Sequence, residues 1–107
     1  MKIYNKLVRD KIPQIIERNG KQCDIRILDE AEYGAALNSK LQEELKEFFE
    51  AKNVNEQMEE LADLLEVVYS IAESKGVAVE DLEKIRLSKR VERGGFEKRI
   101  MLLTSYE

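Results

Sequence analysis

Apolar side chains recur at helical spacing over two stretches of the chain, with a polar break between them. The first set is Ala36, Leu37, Leu41, Leu45, Phe48 and Phe49, a single stripe on a helix. Asp29, with Glu32 three residues on, fits a capping box at its start, so this helix is expected to run from there to about Lys52. Asn53 with Glu56 reads as the next cap. The helix after it is expected to reach Ser74–Lys75 and to close at Gly76. Its apolar set is wide: Met58, Leu61, Ala62, Leu64, Leu65, Val67, Val68, Tyr69, Ile71 and Ala72. Side chains at 100° intervals along this set cover more than half the helix circumference, so the helix needs partners on two sides. One partner is the preceding helix, returning across a short antiparallel turn. The other is expected to be a second subunit.

The flanks are shorter. Pro13 among Ile12, Ile15 and Ile16 suggests a brief first helix stopping at Asn19-Gly20. A last helix is expected over about 79–93, with Glu80 and Asp81 in its first turn and Gly94-Gly95 at its end. Residues 23–28 alternate weakly and fit a short strand or an extended crossing, and residues 100–103 fit an extended tail or a strand. The fold class is therefore all-α, an antiparallel helical bundle completed by oligomerisation, with at most a token β element. The whole chain, 1–107, reads as one domain.

Composition removes several chemistries. The chain has no histidine, which excludes Ser-His-Asp catalysis, imidazole zinc sites and the Glu-x-x-His ligands of di-iron bundles. Cys23 is the lone cysteine, which fits a reducing compartment and a small buried hydrophobe better than a nucleophile. No apolar run is long enough to span a membrane, and the expected location is cytoplasmic. Charge is unevenly spread. Residues 27–83 carry 16 acids and 4 bases, residues 1–26 carry 7 bases and 3 acids, and residues 84–99 carry 7 bases and 2 acids. The acidic middle argues against a nucleic-acid partner. Arg93-Gly94-Gly95 is a single copy of an RGG triplet and reads as a helix end.

Within the acidic middle, Glu44 and Glu47 are three apart on one helix, and Glu60 and Asp63 are three apart on the next. Each pair shares a helix face, and the intervening residues suffice for a turn, so the pairs can face each other. Glu44 lies beside the Leu37–Leu41–Phe48 stripe, and Glu60 is flanked by Leu64, Val67 and Ile71. Four carboxylates at a core edge repel one another and are poorly hydrated, so their pKa values rise unless a cation joins them. Oxygen ligands without histidine or thiolate suit Mg²⁺, with Mn²⁺ possible. The same pattern also suits a charged bundle surface, because 22 of 107 residues are acids.

The opening IYNKLVRDKIPQII, residues 3–16, resembles the start of MazG-like nucleoside triphosphate pyrophosphohydrolases related to phosphoribosyl-ATP pyrophosphohydrolase. The Glu44, Glu47, Glu60, Asp63 pattern is similar to that superfamily's metal motif, and KRVERGGF, residues 89–96, resembles its closing basic segment. The resemblance implies the all-α NTP pyrophosphatase fold, assembled as a homodimer or homotetramer. It implies a hydrolase of phosphoric anhydrides that cleaves a nucleoside triphosphate to a monophosphate and pyrophosphate. Glu44, Glu47, Glu60 and Asp63 match its metal ligands, and Lys89 and Arg93 its phosphate-holding bases. Lys6 and Arg9 fit the opening motif and are expected to meet substrate. Glu43 completes the acidic run and either orients or deprotonates water or faces solvent. Phosphoribosyl-ATP hydrolysis in histidine biosynthesis is the alternative reaction, and a non-catalytic helical oligomer is the alternative to an enzyme.

Overall fold

Two long, capped helices dominate the molecule. A computed structural model describes residues 1–107 and contains four helices and no strand. The short α1 spans Ile12–Arg18, with Pro13 in its first turn. Helix α2, Glu30–Glu50, opens on a complete capping box: the Asp29 carboxylate accepts from the Glu32 N–H at 2.8 Å, and the Glu32 carboxylate accepts from the Asp29 N–H. Helix α3, Val54–Ser74, is capped by the Asn53 side chain, which accepts from the Glu56 N–H at 2.9 Å. That cap explains why α2 stops two residues short of Lys52. The Glu56 carboxylate takes the Lys52 N–H at 3.0 Å, and Ala51 turns extended, so the chain here already serves the next helix. The connection is only Ala51–Asn53, which folds α3 back along α2. At 21 residues each, the two helices lie side by side over about 30 Å.

Helix α3 ends where Gly76 enters the left-handed region at φ 80°, letting the Val77 N–H reach the Ala72 carbonyl at 3.0 Å. Helix α4, Val79–Arg93, then packs on α3 alone. Tyr69 on α3 donates to Glu83 on α4 at 3.0 Å, and Arg86 holds the other oxygen of Glu83 at 2.8 Å. Tyr69 is thus half-buried with its hydroxyl tied, a polar link between helices as much as core. Residues 23–28 and 100–103 form no strand, since a strand needs a neighbour to accept its backbone bonds and none is present. Cys23 is half-buried, its thiol 4.0 Å from the Pro13 carbonyl. No helix is long and apolar enough to cross a membrane.

The interior is thin. Only Leu37, Val67 and Glu44 are buried. Leu37, Leu41, Glu44 and Phe48 recur at four, three and four residues along α2, which is the inward seam against α3. Leu45 and Phe49, expected in the stripe, are exposed instead, Phe49 by 73%. Each sits one residue, or 100°, beyond a seam position, so it rotates out as Glu44 and Phe48 rotate in. On α3, Met58, Leu61 and Leu65 are likewise exposed. The chain has a radius of gyration of 18.4 Å and extents of 63 × 35 × 23 Å, where a compact domain of this length has a radius of about 13 Å.

Candidate metal centre

One of the three buried residues of this chain is a carboxylate. Glu44 is 5% exposed because it occupies a seam position on α2, two turns after Leu37. On α3 the matching seam runs Glu60, Leu64, Val67 and Ile71, here with the acid at its start. Antiparallel packing of the two seams brings the acids together. Oxygens of Glu44, Glu60 and Asp63 lie within 4.8 Å of one another, and so do those of Glu43, Glu44 and Glu47. Glu44 belongs to both groups. Glu47 also lies against Glu60, so the two i, i+3 pairs meet as one cluster.

The cluster is electrostatically unfinished. One carboxylate oxygen of Glu44 and one of Glu60 are buried without any hydrogen-bond donor. Burial, followed by the proximity of Glu47 and Asp63, pushes Glu44 up to about 7 from its ordinary 4.5, against the pull of Lys40. Glu60 is raised as well, by burial and then by Glu47. Two carboxylates in contact need a shared proton or a cation between them.

Three cations border the acids. Arg9 donates to Asp63 at 2.6 Å, and Lys6 to Glu43 at 3.3 Å, so the amino-terminal segment is fastened across the cluster at two points. Asn5, in the left-handed region at φ 45°, makes the bend before Lys6; asparagine tolerates that region better than most residues. Lys40 reaches Glu43 at 3.4 Å and Glu44 at 3.5 Å from one turn earlier on α2. Burial works against the ionised form of Glu43, but Lys40 and Lys6 outweigh it and hold the carboxyl below its ordinary range. Glu43 therefore does not simply face solvent.

Lys40 is the residue that sequence reasoning missed. The available signal was its placement at i−3 from Glu43 and i−4 from Glu44, the spacing of helical ion pairs. Lys89 and Arg93 lie near the end of α4, which touches α3 but not α2, and neither pairs with the acids. Within one chain, the structure brings Glu43, Glu44, Glu47, Glu60, Asp63, Lys6 and Arg9 together and leaves Lys89 and Arg93 apart.

Residues 14–89 match the profile of the family described as phosphoribosyl-ATP pyrophosphohydrolase, which covers both acidic pairs and Lys89. An uncharacterized protein of Mycolicibacterium smegmatis is 51% identical over 41 residues, 38% of this chain and 42% of that relative. The match thus spans under half of the relative's length. No solved structure matches.

Proposed function

This chain belongs to the phosphoribosyl-ATP pyrophosphohydrolase family, and from that premise we propose that it hydrolyses nucleoside triphosphates to a nucleoside monophosphate and pyrophosphate, with Mg²⁺ or Mn²⁺ as cofactor. One observation carries the reading: Glu44 is sealed from water beside Glu60, and each keeps an oxygen with no donor. A divalent cation is the partner those oxygens lack. The donor set is all oxygen, as hard cations prefer.

Glu44, Glu47, Glu60 and Asp63 are the ligands in this reading. When bound, the cation supplies positive charge that polarises phosphoryl oxygens and offsets charge developing in the transition state. The oxygen of water bonds to the α-phosphorus as the bond from that phosphorus to the α–β bridging oxygen breaks. The bridging oxygen leaves with its electron pair as part of pyrophosphate, and the proton of the water passes to solvent. Arg9, at the cluster's edge beside Asp63, has the planar fork of donors that suits a phosphate. Glu43, kept ionised between Lys6 and Lys40, orients those two ammonium groups.

Assembly belongs to the same reading. The chain exposes 10010 Å², where a folded monomer of its mass exposes about 6,200 Å². The excess is the scale of an obligate interface, and exposed Met58, Leu61 and Leu65 supply apolar surface for a homodimer or homotetramer. A neighbouring copy is then the route by which Lys89 and Arg93 reach a substrate. Light scattering behind a sizing column should give at least a dimer, with a melting temperature that falls on dilution. A monomer with concentration-independent melting contradicts the assembly.

The catalytic reading is tested by a panel of ribo- and deoxynucleoside triphosphates assayed for pyrophosphate release with and without Mg²⁺. Metal-dependent release is expected, and none from any triphosphate overturns it. Phosphoribosyl-ATP is the second substrate reading, favoured by the family's own description, and belongs in the same panel.

A further inference from the structure

We propose that the recess between the amino-terminal segment and α2 is the subsite for the terminal two phosphates of the substrate, and hence for the leaving pyrophosphate. The inference rests on the triphosphate reading above and adds residues that the sequence motifs do not mark. The recess has a volume of about 160 Å³ and is lined by Asn5, Lys6, Leu7, Ala36, Ser39, Lys40 and Glu43. That is roughly the volume of five waters. It is too small for a nucleoside, since pockets for drug-sized ligands hold about 300–1,000 Å³. A small, compact ligand is what fits.

Its charge selects the ligand. Lys6 and Lys40 enter from different elements and converge on the carboxylate of Glu43 at 3.3 and 3.4 Å, and Lys40 also reaches Glu44 at 3.5 Å. Each ammonium has three donors, so one partner for Lys6 and two for Lys40 leave donors unused on both. The Asn5 side-chain amide and the Ser39 hydroxyl add further donors on the lining. The lining itself carries two cations and one anion, with Glu44 reached by Lys40 from the neighbouring cluster, so the recess is the less negative side of a strongly negative site. A cleft of about 390 Å³ at the turn end of the α2–α3 pair has the opposite character: Glu47, Glu50, Glu56, Glu59 and Glu60 line it, so it repels phosphate. A triphosphate lying across the acid cluster therefore has a favourable direction for its tail toward Lys6 and Lys40 and an unfavourable one toward that cleft. Glu43 and Glu44 are adjacent, so the recess and the metal ligands are separated by one side chain. The hydrolysed bond and the leaving group then sit on neighbouring subsites.

Two consequences follow for specificity. A substrate with two phosphates beyond the scissile bond fills the recess, and a nucleoside diphosphate fills it by half. Pyrophosphate is also expected to be a product inhibitor, competitive with the triphosphate.

Calorimetric titration of inorganic pyrophosphate into the full chain, with orthophosphate for comparison, tests the assignment. Wild type should bind pyrophosphate at least tenfold more tightly than orthophosphate. Lys40→Gln, which removes a lining ammonium, should weaken pyrophosphate at least tenfold. Ser39→Tyr, on an exposed wall of the recess and at none of the four metal ligands, should do the same by filling the recess, and its Mg²⁺ titration should match wild type. Equal pyrophosphate affinity in wild type and both variants overturns the subsite. So does weakening by Lys89→Gln or Arg93→Gln in their place, which moves the phosphates to α4 of a neighbouring copy. Failure of the triphosphate panel is a separate result: hydrolysis absent with pyrophosphate binding still lost in the variants removes the reaction and leaves the subsite. Hydrolysis present with pyrophosphate binding unaffected removes the subsite and leaves the reaction.

Discussion

Glu60→Gln is expected to lower Mg²⁺-dependent pyrophosphate release by about 10²–10³-fold, while making the metal-free protein melt at a higher temperature. Both signs come from one charge. Glutamine keeps the size of Glu60 at the start of the α3 seam but removes an anion from the group that Glu60 forms with Glu44 and Asp63. In the proposed reading Glu60 is a ligand, so its loss lowers occupancy by the cation and with it the positive charge available to the reacting phosphate. At about 1.4 kcal/mol per factor of ten, the stated loss is roughly 3–4 kcal/mol of transition-state stabilisation, within the several kcal/mol a metal ion supplies. In the metal-free fold the same anion is a liability. Its Oε2 is buried without a donor, and its neighbour Glu47 repels it. An amide there supplies donors to the surrounding carboxylates and ends part of that repulsion. Steady-state pyrophosphate release and a thermal melt in chelator check the pair. An undiminished rate removes the cluster from the chemistry. A lost rate accompanied by a lower metal-free melting temperature shows only a damaged fold.

The metal-free protein should lose stability as pH rises from about 4.5 to 7, and excess Mg²⁺ should abolish that loss. Glu44 is the main source, and Glu60, also raised by burial, adds in the same direction. The folded-state value of Glu44 is raised from 4.5 to about 7, so the folded chain holds a proton over a window in which the unfolded chain has released it. A raised value in the folded state contributes stability that is fully present below 4.5 and is gone once pH passes about 7. The size is on the order of 2–3 kcal/mol, which for a chain of this length moves a melting temperature by about 10–20 °C. Other carboxyls run the opposite way. Glu32, held low first by Arg26, and Glu83, held low first by Arg86, contribute above their ordinary range and lose that contribution as pH falls. The metal-free optimum therefore lies on the acid side of neutrality. With Mg²⁺ in excess the ionised form of Glu44 is the one that is bound, and the decline toward neutral pH disappears. Melting curves between pH 4 and 8, in chelator and in Mg²⁺, give the answer. A gap between the two series that does not widen with pH means that Glu44 is not a ligand.

Local chemistry made most of the helices legible. Asp29 with Glu32, and Asn53 with Glu56, are short-range signals, because a cap is made by a side chain and a backbone N–H three residues apart. Gly76 and Gly94 closed α3 and α4 for an equally local reason, since both adopt positive φ. The meeting of Glu44 and Glu47 with Glu60 and Asp63 was legible too, because a short turn between two periodic helices leaves only one way for their apolar seams to face. Sequence periodicity placed those acids at the border of the seam, however, and not inside it. The depth of Glu44 depended on how the α2–α3 pair rotates, and that rotation also turned Leu45 and Phe49 outward.

The sequence by itself determined where the helices begin, where all but α2 end, that the class is all-α, and that two acidic pairs oppose each other across a hairpin. Each of those follows from interactions within a few residues or from the helical period. Only the tertiary structure decided which cations attend the acids. Lys6 and Arg9 lie 37 and 54 residues from Glu43 and Asp63 in the chain, and their ion pairs depend on where an irregular amino-terminal segment crosses two helices. Lys89 and Arg93 carry the same charge but ride on α4, which packs against α3 and does not touch α2. Composition cannot separate those two sets, because charge is a property of the residue and proximity is a property of the packing.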